Sequence, residues 1–308
     1  MKRLHFTIPL LAIFAVTQLP SRLPAARLVG PDAGSVATEL WAVGSFTDPR
    51  EPHNQQTLIE HWDGVAWSQA PSPNVALVDN VLEGVTAVTA SDAWAVGNIN
   101  AGRGTVILHW DGARWQIAPS PNIAGSDHTT GLHDVAAIAA NDVWAIGNND
   151  GGLGTVVEHW DGAAWSIVPS PNRTATNNHL NSLSIVSAND IWAVENNSVI
   201  HWDGTNWDIE YPTSMHMSTL YLWDVDATSS DNVWVVGEKD NSQALVLHWN
   251  GAHWIEVQGP TPMPMQRALG VAVWANEVWV VGEAFYDWEG THYPMAARFV
   301  KRPCPTAP

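Results

Sequence analysis

Residues 190–207 read D-I-W-A-V-E-N-N-S-V-I-H-W-D-G-T-N-W, and this stretch is the shortest copy of a unit that recurs along the chain. Its first block, W-A-V-G or a close variant, starts at Trp41, Trp94, Trp144, Trp192, Trp234 and Trp279. Its second block, H-W-(D/N)-G-x-x-W, starts at His61, His109, His159, His201 and His248. A third block, P-S-P-N, follows at Pro71, Pro119 and Pro169 and then decays. Ahead of most W-A-V-G blocks lies L-x-x-V-x-A or a variant, from Leu82, Leu132, Leu180 and Leu222. The chain has 19 Trp, and all but Trp223, Trp274 and Trp288 fall in the repeated slots, so the tryptophan excess belongs to the repeat.

Each unit holds four short apolar runs parted by turn residues. Strand A is the L-x-x-V run, strand B is V-W-A-V, strand C ends in H-W, and strand D begins at the last Trp. Antiparallel units of this kind, about 40–50 residues long, predict an all-β chain folded as a six-bladed β-propeller, with four strands per blade in one domain. A blade buries both faces against its neighbours, which accounts for apolar residues at consecutive strand positions. The C–D turn is Asp-Gly, becoming Asn250-Gly251 in the fifth copy. That pair predicts a two-residue type I′ hairpin and makes the aspartates turn formers. Copy one lacks a clear strand A and copy six stops after strand C, so ring closure joins the two incomplete ends, with residues near 24–37 filling in. The order of these blocks resembles tectonin-type propeller repeats and their secreted bacterial relatives. The resemblance spans residues ~36–300 and implies a lectin-like propeller that binds glycans at several blades.

Composition narrows the function classes. The 308 residues carry 13 Lys+Arg against 31 Asp+Glu, a formal charge of −18. Lys2, Arg3, Arg22 and Arg27 lie in the first 27 residues, where there is no acid, so the remaining chain is more acidic still. Such a body repels nucleic acid and anionic membrane. Residues 1–27 read as a signal peptide: a basic start, an apolar run from Phe6 to Val16 too short to span a membrane, and small residues beyond. Residues 28–300 form the propeller, and 301–308 a disordered Pro-rich tail. The expected location is secreted or cell surface, with no membrane span beyond the signal. The single cysteine, Cys304, excludes an internal disulfide.

The repeated His invite a metal hypothesis. Each, however, stands two residues after a β-branched apolar residue (Ile59, Ile107, Val157, Val199, Val246), one per blade, so they read as packing residues bonded to a turn. The informative positions are those the repeat does not explain. Connections D–A and B–C share one rim, and their lengths vary, whereas the A–B and C–D turns stay nearly fixed. Strand A opens with Glu83, His133, Asn181 and Trp223 at one equivalent position, followed by Gly84, Asp134, Ser182 and Asp224. His128, His179, His216 and Asp127 add polar groups in the D–A loops. The last B–C loop carries Tyr286 and Trp288 among acids. Exposed aromatics beside carboxylates and amides suit stacking on a sugar face with hydrogen bonds to its hydroxyls. The expected ligand-binding set is therefore Trp288, Tyr286, Trp223, Glu83, His133, Asn181 and Asp224. No catalytic residue, metal ligand or cofactor is assigned. The carboxylate count would suit a hard cation such as Ca²⁺, without a loop motif for it. No nucleophile, zinc-protease or phosphate-loop motif occurs. The reading is an exported, non-enzymatic module that binds carbohydrate or a cell-envelope polymer on the D–A/B–C rim. The alternatives are a structural or protein-interaction propeller, and a secreted glycoside-active hydrolase with an unrecognised carboxylate pair.

Overall fold

The computed structural model describes residues 4–8, 26–30, 39–47, 54–76, 78–99, 104–121, 130–149, 154–174, 178–211, 220–240, 243–258, 266–274, 277–285 and 292–300. Among them, six antiparallel sheets follow one another along the chain, each with its strands in sequence order, as the six blades of a propeller. Blade 1 comprises strands B to D (Leu40–Thr47, Gln55–Trp62, Trp67–Gln69). Blade 2 runs from strand A to D as Asn80–Thr89, Asp92–Ile99, Gly104–Trp110 and Trp115–Ala118. Blade 3 is Gly131–Ala139, Asp142–Asn149, Gly154–Trp160 and Trp165–Ile167. Blade 4 is Leu180–Ser187, Asp190–Glu195, Ser198–Trp202 and Trp207–Tyr211. Blade 5 is Leu220–Ser229, Asn232–Lys239, Gln243–Trp249 and Trp254–Glu256. Blade 6 stops at strand C (Arg267–Trp274, Glu277–Phe285, His292–Val300). A separate hairpin pairs Leu4–Ile8 with Ala26–Gly30. Its second strand lies beside strand B of blade 1 and strand A of blade 2, and its first beside strand A of blade 6. Residues within the expected closing segment, and within the expected signal, thus lie at the seam of the ring.

Alternation explains the core. Strand B residues of one parity face the preceding blade and those of the other parity the next. Trp192 and Val194 pack with Leu222 and Val225 of blade 5, while Ile191 and Ala193 pack with Ala136 and Ile146 of blade 3. The repeated tryptophans interlock the blades. Trp41 sits 5.1 and 5.2 Å from Trp110 and Trp115 of blade 2. Trp94 repeats this with Trp160 and Trp165 at 5.0 and 5.3 Å. Trp144 and Trp192 do the same in the next two blades, and Trp234 meets Phe299. Each indole buries a large apolar area at an offset or edge-on angle, the arrangement aromatic rings prefer. At the seam, Trp67 stays 41% and Trp279 43% exposed.

The C–D turn differs from the type I′ hairpin expected: of the Asp-Gly pair only the Gly takes positive φ, and the Asp N–H bonds the carbonyl three residues on, as Asp111 does with Arg114 at 3.3 Å. The Trp pairs Trp62↔Trp67, Trp110↔Trp115, Trp160↔Trp165, Trp202↔Trp207 and Trp249↔Trp254 close four-residue loops. The reason is the Asp side chain. Asp111 Oδ1 accepts the N–H groups of Ala113 and Arg114, both at 2.9 Å, and so folds the turn around itself. Asn250 accepts the same two bonds at 3.0 Å, so Asp and Asn remain interchangeable here. Only the Gly takes positive φ, 88° at Gly112, and a Cβ there would lie 2.8 Å from Ser91 Cβ in the A–B turn of the same blade. Gly112→Val is expected to cost about 1–3 kcal/mol. An unchanged thermal midpoint would remove this account of the turn.

Candidate functional site

The repeated histidines are structural in this geometry. Each imidazole stacks on the strand-B Trp it pairs with, at 4.1–4.3 Å between ring centres. The Nε2 atoms of His109, His159 and His201 meet Asp92, Asp142 and Asp190 at 2.8–2.9 Å. In blade 5 the partner of His248 is Asn232 at 3.0 Å, so the pair does not need a carboxylate. Blade 6 rebuilds it from other residues: Arg298 lies over Trp279 and bonds Glu277. The P-S-P-N serines are likewise internal ties. Ser72, Ser120 and Ser170 each bond a threonine at the start of strand C (Thr57, Thr105, Thr155) at 2.7 Å.

Strand A carries the informative irregularity. In blades 2 to 6 its pairing with strand B skips one residue near the N-terminal end: Glu83, His133, Asn181, Trp223 and Leu269. Four of these five β-bulge residues are the candidates that stood at the head of strand A. A bulge leaves its extra residue out of the ladder and re-aims the side chain, which is why bulges cluster beside binding sites. The W-A-V-G glycine faces this kink. A Cβ on Gly97, Gly147, Gly237 or Gly282 would lie 1.9–2.1 Å from a carbonyl oxygen of the bulged strand.

The bulged side chains meet one another around the ring. The His133 Nδ1 bonds the Leu180 carbonyl at 2.9 Å, and Asn181 Nδ2 donates to the Leu222 carbonyl at 2.7 Å. Each thus reaches the residue just before the next blade's bulge. The bond made by His133 fixes Nδ1 as its protonated nitrogen when neutral and leaves Nε2 as an acceptor. His179 stacks parallel to His133 at 6.2 Å. Burial, and then the charge of His133, hold its pKa below the usual histidine range. Burial pushes the Glu83 carboxyl up, against the opposing pull of His133 and of a hydrogen bond from Asn98. Trp223 stacks with Tyr221 at 6.2 Å, and its indole N–H has no acceptor among the described residues. The set thus combines a carboxylate, an imidazole, an amide and an indole, able to donate, accept and stack.

Asp224 does something else. It is 2% exposed and lies between the inner strands rather than at the channel mouth. One carboxylate oxygen accepts Ser182 Oγ of blade 4 at 2.7 Å and the other the Val271 N–H of blade 6 at 2.8 Å. Asp134 and Asp226 tie inner strands in the same way, through Leu183 N–H and Val273 N–H. Tyr286 and Trp288 fall outside the described residues, as do most connections of the varied rim. Asn98, Asn196 and His179, which bond or stack on the bulge residues, complete the set; the sequence marks His179 only as one more polar loop residue. Among the described residues no three His, Cys, Asp or Glu are grouped to hold a metal ion. No helix there is long and apolar enough to cross a membrane.

No protein-family model matches the chain, and neither does any curated protein sequence. Solved structures do. The six-bladed fucose-recognising lectin of Aleuria aurantia is similar at 13% identity, with a TM-score of 0.52 over 85% of this chain and 88% of the lectin. YCF48 bound to D1 peptide is similar at 16% identity, with a TM-score of 0.53 over 80% of this chain and 72% of YCF48. Virginiamycin B lyase from Staphylococcus aureus is similar at 11% identity, with a TM-score of 0.54 over 83% of this chain and 80% of the lyase. These likenesses establish the β-propeller fold.

Proposed function

We propose that this chain is an exported, non-enzymatic binding module that takes carbohydrate or a cell-envelope polymer on its D–A/B–C rim. One observation carries the reading. The bulge is repeated in place from blade to blade, while its side chain is Glu83, His133, Asn181 or Trp223 in turn. Packing holds the kink constant while the side chain it projects varies, and that variation serves recognition. The mixture suits a sugar: an indole for the apolar face of the ring, and donors and acceptors for its hydroxyls. The tectonin-like order of the repeat supports the same reading, as does the occurrence of a fucose-recognising lectin among propellers of this shape. Tyr286 and Trp288 belong to the proposed site through their place in the last B–C loop. The runner-up, a protein-binding propeller, draws on YCF48, which was solved with a peptide.

A glycan array followed by calorimetry with purified envelope polysaccharide tests the proposal. Trp223→Ala and Trp288→Ala should each keep the melting temperature and weaken binding about ten-fold. Trp165→Ala, in a packed repeat slot, should instead lower the melting temperature. An array without a saturable hit, or affinities untouched by both rim variants, would sink the carbohydrate reading.

A further inference from the structure

The polar bulge residues use their own donors inside the ring. His133 gives its Nδ1 proton to the Leu180 carbonyl at 2.9 Å. Asn181 Nδ2 directs both hydrogens inward, to Asn196 Oδ1 at 2.9 Å and to the Leu222 carbonyl at 2.7 Å. A carbonyl only accepts, so these bonds fix which atom of each side chain donates. Glu83 takes the Asn98 amide on one oxygen and, when ionised, has no proton to give. The Trp223 indole N–H is closed off from solvent.

What remains open are acceptors. Glu83 Oε2, Asn181 Oδ1 and, in the neutral ring, His133 Nε2 have no hydrogen bond with a described residue, yet none of them is sealed from solvent. They stand at one bulge position in three successive blades. Gly131 keeps space beside the middle one. Two residues before the bulge, other blades carry Val81, His179, Tyr221 and Arg267, and blade 3 carries Gly131. A Cβ there would lie 3.8 Å from His133 Nε2 and meet nothing closer than Asn98 Cβ at 3.4 Å. Arg267 brings no net positive charge to the rim, because Glu238 and Glu283 hold it at 2.8 and 3.3 Å, two carboxylates to one guanidinium. In blade 5, Tyr221 and Trp223 add two partly exposed aromatic faces, 15° from parallel.

We infer that the rim selects a sugar polymer bearing primary amines, such as de-N-acetylated glucosamine, over neutral and acidic glycans. The inference rests on the carbohydrate reading above and names the class within it. A primary ammonium carries three N–H donors and no acceptor, the complement of a site whose open valences are acceptors. Its hydrogen bonds to a carboxylate are charge-assisted, and indole and phenol faces attract the same cation. A uronate or phosphate polymer would set acceptor against acceptor and its charge against Glu83. Acceptors held on three neighbouring strands favour a rigid sugar ring over a lysine side chain, which loses more freedom on binding.

Calorimetry on the full chain tests this, with short oligomers of glucosamine, N-acetylglucosamine, galacturonate and lysine in one dilute buffer near neutral pH. The glucosamine oligomer should bind at least about ten-fold tighter than its N-acetylated form, and galacturonate should not saturate. Glu83→Gln keeps the side-chain shape and should erase that preference while leaving N-acetylglucosamine affinity in place. Asp63→Asn removes the same charge from a C–D hairpin, where blade 5 already has Asn250, and should leave the preference intact. Gly131→Val, the residue of blade 2, should weaken the glucosamine oligomer about ten-fold by filling the space beside His133. A preference lost equally in Glu83→Gln and Asp63→Asn is attraction to the acidic body at large and overturns the inference. So does a lysine oligomer that binds as tightly as glucosamine, which would move the rim to a protein partner. N-acetylglucosamine or galacturonate binding as well as glucosamine overturns the amino-sugar class and leaves the carbohydrate reading standing. A glycan array without any saturable hit overturns both.

Discussion

Asp224→Ala is expected to destabilise the protein by about 3–5 kcal/mol while leaving any rim ligand bound with its affinity nearly intact. The carboxylate accepts Ser182 Oγ from blade 4, Val271 N–H from blade 6 and its own neighbour's Val225 N–H. Alanine deprives all three donors of their acceptor at a position 2% exposed, where water cannot replace it. A buried N–H left without an acceptor costs more than a hydrogen bond contributes on average, so the loss exceeds a simple count of bonds. Urea unfolding measures it, and hydrogen exchange should show lost protection at Val271. The sequence alone places Asp224 beside the bulge residues at the channel mouth. If Asp224→Ala melts like the parent and loses ligand, that placement is right and the inter-blade tie is not what the carboxylate is for.

Glu158→Leu is expected to stabilise the protein by about 3 kcal/mol at pH 8 and by much less at pH 4.5. Glu158 is 1% exposed in strand C of blade 3, in a slot held by Leu108, Ile200 and Leu247 in three other blades. Its carboxyl meets Ser120 Oγ at 3.2 and 3.3 Å, and that hydroxyl also bonds Thr105. Burial pushes its pKa from 4.5 up to about 7, the Ser120 bond opposing only weakly. The folded state therefore holds a proton that the unfolded chain releases, and stability falls as pH rises from 4.5 through 7. A difference of about 2.5 pK units corresponds to about 3 kcal/mol above that window. Glu195, which stands where other strand-B copies have glycine, is also raised to about 7 by burial, with Ser198 and Arg173 opposing. The turn aspartates Asp63, Asp111, Asp161 and Asp203 act oppositely. Backbone N–H groups hold them below the usual range, so their contribution is lost only as pH falls through those lowered values. Stability should peak near pH 5, where the buried glutamates are protonated and the turn aspartates ionised. Equal effects of Glu158→Leu at pH 5 and pH 8 in urea titrations would refute the assignment.

The blade count, strand order and interlocking role of tryptophan are legible in the sequence because each residue type repeats at a fixed offset. The turn type is less so. Asp-Gly signals a type I′ hairpin, but the Asp side chain takes two backbone donors and only the Gly adopts positive φ. The bulge was written in the sequence too, in the L-x-x-V-x-A block. Leu82, Val85 and Ala87 pack in one cluster, although residues three apart on a regular strand face opposite ways. An interval of three followed by two therefore requires one extra residue between Leu82 and Val85. Glu83 and Asp224 could not be told apart as bulge residue and inter-blade tie, because the distinction depends on strands of neighbouring blades. Period-two reasoning within one blade does not contain that information.

The bulge also gives the ring a division of labour between grammar and vocabulary. Glycine opposite the kink and apolar residues on either side of it set the register, and they recur with little change. The extra residue is left out of the ladder, so its side chain changes from blade to blade while the register stays the same. Each of blades 2 to 6 therefore contributes a single variable character, and on the proposed reading these characters together spell a recognition surface. On that reading, new specificities are reachable by single substitutions at positions the ladder does not use.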